Sequence, residues 1–230
     1  MSKHKDNEDR DLERWLARAS RPSASPSFAV ALDAAYGAGP GEAAWARARR
    51  RVHDRLKASE PRVYYDRVEA TPVGPLWVAM TDLGLAAVSY GGTESAFAGW
   101  IGRHLQASPV RSAERTTVAR RELREYLAGR RTSFTLPVDL THVTSFQRRV
   151  LEAAQAVPRG QVATYGEIGR RIGRPGAARA VGQALGSNPV PIVVPCHRVL
   201  ASDGSLRGYS GRGGLQTKRR LLTLEGALLV

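Results

Sequence analysis

The chain has 230 residues, 42% of them hydrophobic, with one cysteine and a formal charge of +14 at pH 7. That length suits one large or two small domains. A lone cysteine excludes an intramolecular disulfide and a cysteine-built zinc site, and no apolar run approaches the ~18 residues of a membrane span.

Residues 1–61 read as a helical or flexible extension. The start, Met1 to Arg10, lacks the apolar stretch of a signal peptide, so a cytoplasmic chain is expected. Two helical stretches, Asp9–Ala19 and Glu42–Ala58, carry apolar residues at helical spacing between Pro- and Gly-rich breaks at 21–27 and 37–41. A partner-docking appendage without chemistry is the expectation there. From 62 to 141 the runs Val63–Ala70, Leu76–Thr81 and Leu85–Tyr90 alternate, split by Pro and Gly turns, and describe a strand meander. Phe97–Leu105 and Thr117–Leu127 read as amphipathic helices, the second stopped at Gly129. This is a small mixed sheet with helices on it, and nothing in it looks catalytic.

Residues 142–230 hold most of the charge excess: 13 Lys and Arg stand against 4 Asp and Glu between 143 and 230, a net of +9. Such an excess fits a polyanionic partner. A helix is expected over Thr144–Val157, capped by Thr144 or Ser145. After Pro158-Arg-Gly160 and a short extension at 161–163, Thr164–Ile172 reads as a helix, with Thr164 and Glu167 spaced as a capping box. Gly173-Arg-Pro-Gly176 breaks it, and Ala177–Leu185 restarts a helix with Arg179 near its head. Two short helices about a Gly turn fit a DNA-binding helix-turn-helix and an ordinary helical hairpin alike. Val190–Val194, β-branched and flanked by prolines, reads as a buried extended segment. It delivers Cys196 in Pro195-Cys196-His197-Arg198. Thiolate is the nucleophile, and a neighbouring imidazole and guanidinium favour it; inert packing is the competing reading.

Taken together, Thr164-Tyr165-Gly-Glu-Ile168, Ala178-Arg179-Ala-Val-Gly182, Ser187-Asn188-Pro189-Val-Pro191, Pro195-Cys196-His197-Arg198-Val199, Gly208-Tyr209-Ser210-Gly211 and Leu224-Glu225-Gly226 resemble the O6-alkylguanine-DNA alkyltransferase family. Their order is the family's and their spacing nearly so. A looser likeness runs upstream through Thr144–Arg148 and Glu122–Gly129 to about Val63, and the first 60 residues are not covered.

The resemblance implies an α+β fold. A small mixed α/β, ribonuclease-H-like domain would occupy 62–141, and a mainly helical, winged helix-turn-helix domain 142–230. It implies single-turnover methylated-DNA–protein-cysteine methyltransferase activity on double-stranded DNA: the alkyl group of O6-alkylguanine, and of O4-alkylthymine, passes to Cys196 after base flipping. The protein would act as a monomer in the prokaryotic cytosol, with no membrane, cofactor or metal. Cys196 would attack the alkyl carbon, His197 would take the thiol proton through a water, and Glu225 would steady the imidazolium. Tyr165 would donate to guanine N3, with the Ser210 backbone at O6 and the Val199 carbonyl at the exocyclic amine. Asn188 would pin the turn, while Leu185, Pro191 and Tyr209 wall an apolar pocket. Arg179 would fill the gap left by the flipped nucleotide, with Thr164 and Ala178 at the helix starts also on DNA. Arg170, Arg171 and Arg174 around the turn are the candidate phosphate contacts.

The family pattern is departed from twice, in the N-terminal extension and in Gly211-Arg212-Gly213-Gly214, a loop two residues longer than usual that bears on alkyl-size preference. Two rivals stand beside this reading. One is a non-catalytic protein that binds alkylated DNA, against which Cys196 itself counts, because such relatives replace it. The other is a Cys-His hydrolase, against which the adjacency of His197 and the lack of an oxyanion-type Gly motif count.

Overall fold

The computed structural model describes residues 47, 50, 61–209, 211 and 213–227. The expected helix Asp9–Ala19 lies outside them, and of Glu42–Ala58 only Arg47 and Arg50 are described, both helical and exposed.

Within the unit Glu60–Val230, the expected meander forms as β1 (Arg62–Val68), β2 (Leu76–Thr81) and β3 (Gly84–Tyr90), paired antiparallel. A fourth strand, β4 (Ser108–Arg111), joins parallel to β1 and gives the order β3-β2-β1-β4. It was not expected. Four residues with a proline among them carry too little alternation to register, and an edge position tolerates that proline because one side of the strand needs no donor. Helix α1 (Glu94–Leu105) begins three residues before the expected start because Thr93 caps it, accepting from Ala96 N–H at 3.2 Å.

Side chains alternate across the sheet. One face, with Tyr65, Trp77 and Ala79, packs on Phe97 and Ile101 of α1 as a separate cluster. The other face, with Val68, Leu76, Val78 and Val88, packs on α2 (Thr117–Leu127) and belongs to a core that runs on to Cys196.

The C-terminal half follows its punctuation. Thr144 caps α3 (Ser145–Gln155), whose Val150, Leu151 and Ala154 are buried. A two-residue strand β5 (Ala163–Thr164) leads into α4 (Tyr165–Arg171), where the Thr164–Glu167 capping box closes as expected. Gly169 faces the turn: a Cβ there would come 3.0 Å from the Arg174 carbonyl, so only a residue without one lets the turn close this tightly. Helix α5 (Ala178–Gly186) follows. Past the Cys196 segment, β6 (Val199–Leu200) pairs parallel with β5, and α6 (Leu215–Leu224) brings Glu225 back to the centre. The result is the expected mixed α+β architecture, a small sheet with helices followed by a mainly helical part.

Candidate active site

The segment before the cysteine is buried, as expected, but it is not extended. Val194 N–H returns to the Val190 carbonyl at 2.9 Å, and Ile192 takes a left-handed φ of 77°. Pro189, Pro191 and Pro195 remove the donors that a strand would need. A β-branched residue at positive φ is strained, and Asn188 holds the turn against that strain. Its Nδ2 donates to the Val194 carbonyl at 2.9 Å and its Oδ1 accepts from Val190 N–H at 3.0 Å.

Cys196 then opens a single 3-10 turn, Cys196–Arg198. The thiol is 6% exposed and borders a cavity of about 240 Å³ lined by Tyr165, Gly182, Leu185, Gly208 and Tyr209. Pro191, expected in that wall, lines a neighbouring cavity instead, because the turn at Ile192 carries it to the β3 side. Burial pushes the Cys196 thiol up, against a hydrogen bond with Asn188 and the charge of Lys218. The resting sulfur is therefore a neutral thiol, which needs a base to become a nucleophile.

That base is set by Glu225. Burial alone would lift its carboxyl, but hydrogen bonds from His197, Arg198 and Tyr126 outweigh burial and hold it at about 2. One oxygen, Oε1, accepts from Tyr126 and lies 2.6 Å from His197 Nε2; the other accepts from Arg198 Nε at 2.7 Å. A carboxylate only accepts, so Nε2 carries the imidazole proton. Nδ1 is left with its lone pair, buried and without a hydrogen-bond partner among the described residues. Burial also pushes His197 below the ordinary imidazole range against the pull of Glu225, so the ring is neutral near pH 7.

Of the groups expected at the base, the Tyr165 hydroxyl and the Val199 carbonyl are already engaged. Tyr165 donates its hydroxyl to the Arg207 carbonyl at 3.1 Å. The Val199 carbonyl accepts from Lys218 Nζ at 2.7 Å, and the same ammonium donates to the Arg207 carbonyl at 3.0 Å. Burial pushes Lys218 down to about 8, with the nearby Cys196 acting in the opposite sense. Ser210 and Arg212 lie outside the described residues. On the helix pair, Arg170, Arg171, Arg174, Ala178 and Arg179 are all exposed, whereas Thr164 is half-buried in its cap. Among the described residues no group of three or more His, Cys, Asp or Glu side chains could hold a metal ion.

Three members of the site escape a reading of the sequence. Tyr126, from a region that looked free of chemistry, is 1% exposed and donates to Glu225. A tyrosine on the apolar face of a helix reads as core, and nothing in α2 announces its partner. Lys218 belongs to a basic run, Lys218-Arg219-Arg220, that reads as a solvated face. Arg198 stood only as a charge beside the thiol; it is instead buried against Glu225, Tyr126 and the Val157 carbonyl.

Comparison with known proteins agrees with this geometry. The family model of the 6-O-methylguanine DNA methyltransferase ribonuclease-like domain matches residues 63–140, and that of its DNA binding domain matches residues 145–227. The methylated-DNA--protein-cysteine methyltransferase of Shigella flexneri is 42% identical over 165 residues, 70% of this chain and 95% of that protein. Among solved structures, the O6-methylguanine methyltransferase of Mycobacterium tuberculosis superposes with a TM-score of 0.60 at 38% identity, over 73% of this chain and 95% of that one. Mycobacterium tuberculosis OGT in complex with DNA gives 0.59 at 38% identity, over 71% and 93%. With both domain models matched in order around a buried Cys–His–Glu site, this chain belongs to the 6-O-methylguanine DNA methyltransferase family.

Proposed function

We propose that the protein repairs double-stranded DNA by moving the alkyl group of O6-alkylguanine, and of O4-alkylthymine, onto Cys196, one lesion per protein molecule. The observation that carries this reading is the neutral Cys196 thiol at a cavity wall, followed in the chain by a His197 whose Nδ1 Glu225 keeps basic. The alkylated base enters by flipping, because a sulfur cannot reach a substituent inside the stack. Tyr165 turns its hydroxyl from the Arg207 carbonyl to guanine N3. The Val199 carbonyl offers its second lone pair to the exocyclic amine, and the Ser210 backbone meets O6. Leu185 and Tyr209 wall the alkyl group.

The thiol proton passes through a water to His197 Nδ1. As the sulfur–carbon bond forms, the carbon–O6 bond breaks and its electron pair stays on the base. Tyr165 stabilises that charge until the proton held by His197 is delivered to the base. Thiol hydrogen and alkyl group have then exchanged places, with no cofactor required. A thioether has no good leaving group, so the step does not reverse. In this reading 62–141 is a scaffold domain, 142–230 binds DNA and accepts the alkyl group, and 1–61 is an appendage. The protein works as a cytoplasmic monomer; no helix among the described residues is long and apolar enough to cross a membrane. The alternative of a protein that binds alkylated DNA without repairing it gives no role to a thiol set beside a base.

Intact-protein mass after incubation with an O6-methylguanine duplex tests the reading. One added methyl per chain, mapped to Cys196, is expected; several turnovers per chain, or a methyl elsewhere, would sink it.

The exposed Arg179 on α5 separates extrusion from chemistry. Unstacking a base costs a few kcal/mol, so Arg179→Ala is expected to slow reaction on duplex at least about tenfold. Reaction with free O6-alkylguanine should change by less than about twofold, since nothing has to be flipped. Equal losses on both substrates would assign Arg179 to the pocket.

A further inference from the structure

Tyr90 ends β3, 119 residues from Tyr209, yet the two hydroxyls lie 2.5 Å apart. Their rings meet edge to face with centroids 6.1 Å apart. Burial pushes both phenols well above their ordinary range, so the bond joins two neutral hydroxyls. Tyr209 lines the cavity beside Cys196. Gly211 is pressed against the same pair: a Cβ there would come 2.4 Å from the Tyr209 ring and 2.8 Å from the Tyr90 ring.

Beyond this group lies a second cavity of about 520 Å³, lined by Tyr90, Gly211, Trp100, Pro191 and Gly186. Gly186 lines both cavities, so the two lie side by side. Strand β3 also steadies the opposite wall, where Val88 N–H donates to the Pro189 carbonyl at 2.8 Å. The cavity at Cys196, about 240 Å³, is smaller than the ~300–1,000 Å³ of pockets that enclose drug-sized ligands. A base carrying a bulky alkyl group needs more room than it offers, and the adjoining cavity is where such room exists.

We propose that Tyr90 is a specificity-determining residue for the alkyl group: with Tyr209 it forms the partition between the two cavities, favouring methyl and small alkyl groups over bulky aromatic ones. The proposal rests on the alkyl-transfer reading above. Tyr90→Phe keeps the ring and removes the hydroxyl that holds Tyr209, while Tyr90→Ala removes the partition and lets an O6-benzyl group extend toward Trp100 and Pro191.

Single-turnover rate constants on duplexes carrying O6-methylguanine or O6-benzylguanine test it, read as the benzyl-to-methyl ratio. One methylene of fit is worth ~10–200-fold in an apolar pocket, so the ratio is expected to rise at least about tenfold in Tyr90→Ala. A rise of at least about threefold is expected in Tyr90→Phe, where one hydrogen bond is lost and the packing is kept; this variant decides the matter if Tyr90→Ala does not fold. A role in folding alone would slow both substrates together and leave the ratio unmoved. An unchanged or lower ratio therefore overturns the proposal. Failure of the unmodified protein to methylate Cys196 would overturn the alkyl-transfer reading instead, so the two failures are told apart within one experiment.

Discussion

Cys196→Ser is expected to bind duplex DNA as the unmodified chain does while losing at least about a thousandfold in single-turnover alkyl transfer, since a hydroxyl at its free pKa is a weak nucleophile. Serine fits the 3-10 turn with little change in volume, so the cavity and the exposed helix pair should survive. What is lost is acidity. His197 is held below the ordinary imidazole range, so it ionises a thiol far more readily than a much less acidic hydroxyl. Fluorescence anisotropy on an O6-methylguanine duplex measures the first half of the expectation, and transfer of a labelled methyl the second. Transfer within tenfold of the unmodified rate would show that the sulfur is not the acceptor.

Glu225→Ala is expected to cost about 3–5 kcal/mol of stability, because it leaves the buried Arg198 guanidinium without its counter-charge. Transfer should also fall at least about a hundredfold, as the carboxylate no longer fixes the imidazole proton on Nε2. The acid limb of stability gives a second reading. Glu225 is depressed from 4.5 to about 2, so its contribution of about 3 kcal/mol is fully present above pH 4.5 and lost as pH falls toward 2. His197 acts in the same direction: below the ordinary imidazole range the unfolded chain binds a proton that the folded chain refuses. Denaturation midpoints at pH 5 and pH 2, which bracket the window in which the Glu225 contribution is lost, should therefore differ less in Glu225→Ala than in the unmodified chain. A variant as stable as its parent at neutral pH would show that the cluster contributes nothing to the fold.

The contrast between these residues marks what a sequence can tell. Local physics was legible: the Thr164–Glu167 capping box, the strand meander, and the apolar face of α3 all follow from spacing within a few residues. The Cys196–His197 pair was legible for the same reason, since its members are neighbours in the chain. Long-range pairings were not, save where the family resemblance carried one, as for His197 and Glu225. Tyr126 reaches Glu225 across 99 residues and Tyr90 reaches Tyr209 across 119; each looks locally like an ordinary core aromatic. The turn at Ile192 failed in another way. β-branched residues favour extended backbone, and here three prolines and the Asn188 side chain override that preference.

The burial that raises the Cys196 thiol has one more consequence, and it concerns the time before any lesion arrives. Oxidation by peroxide proceeds through the thiolate and depends on access. A neutral sulfur that is 6% exposed offers little of either. The chain has no second cysteine to form a rescuing intramolecular disulfide with a sulfenic acid, so recovery of an oxidised molecule would depend on an external thiol. The same burial that makes the sulfur wait for a base also limits the thiolate and the access that oxidation needs. For a reagent that can react once, shelf life and reactivity are set by one group in one place.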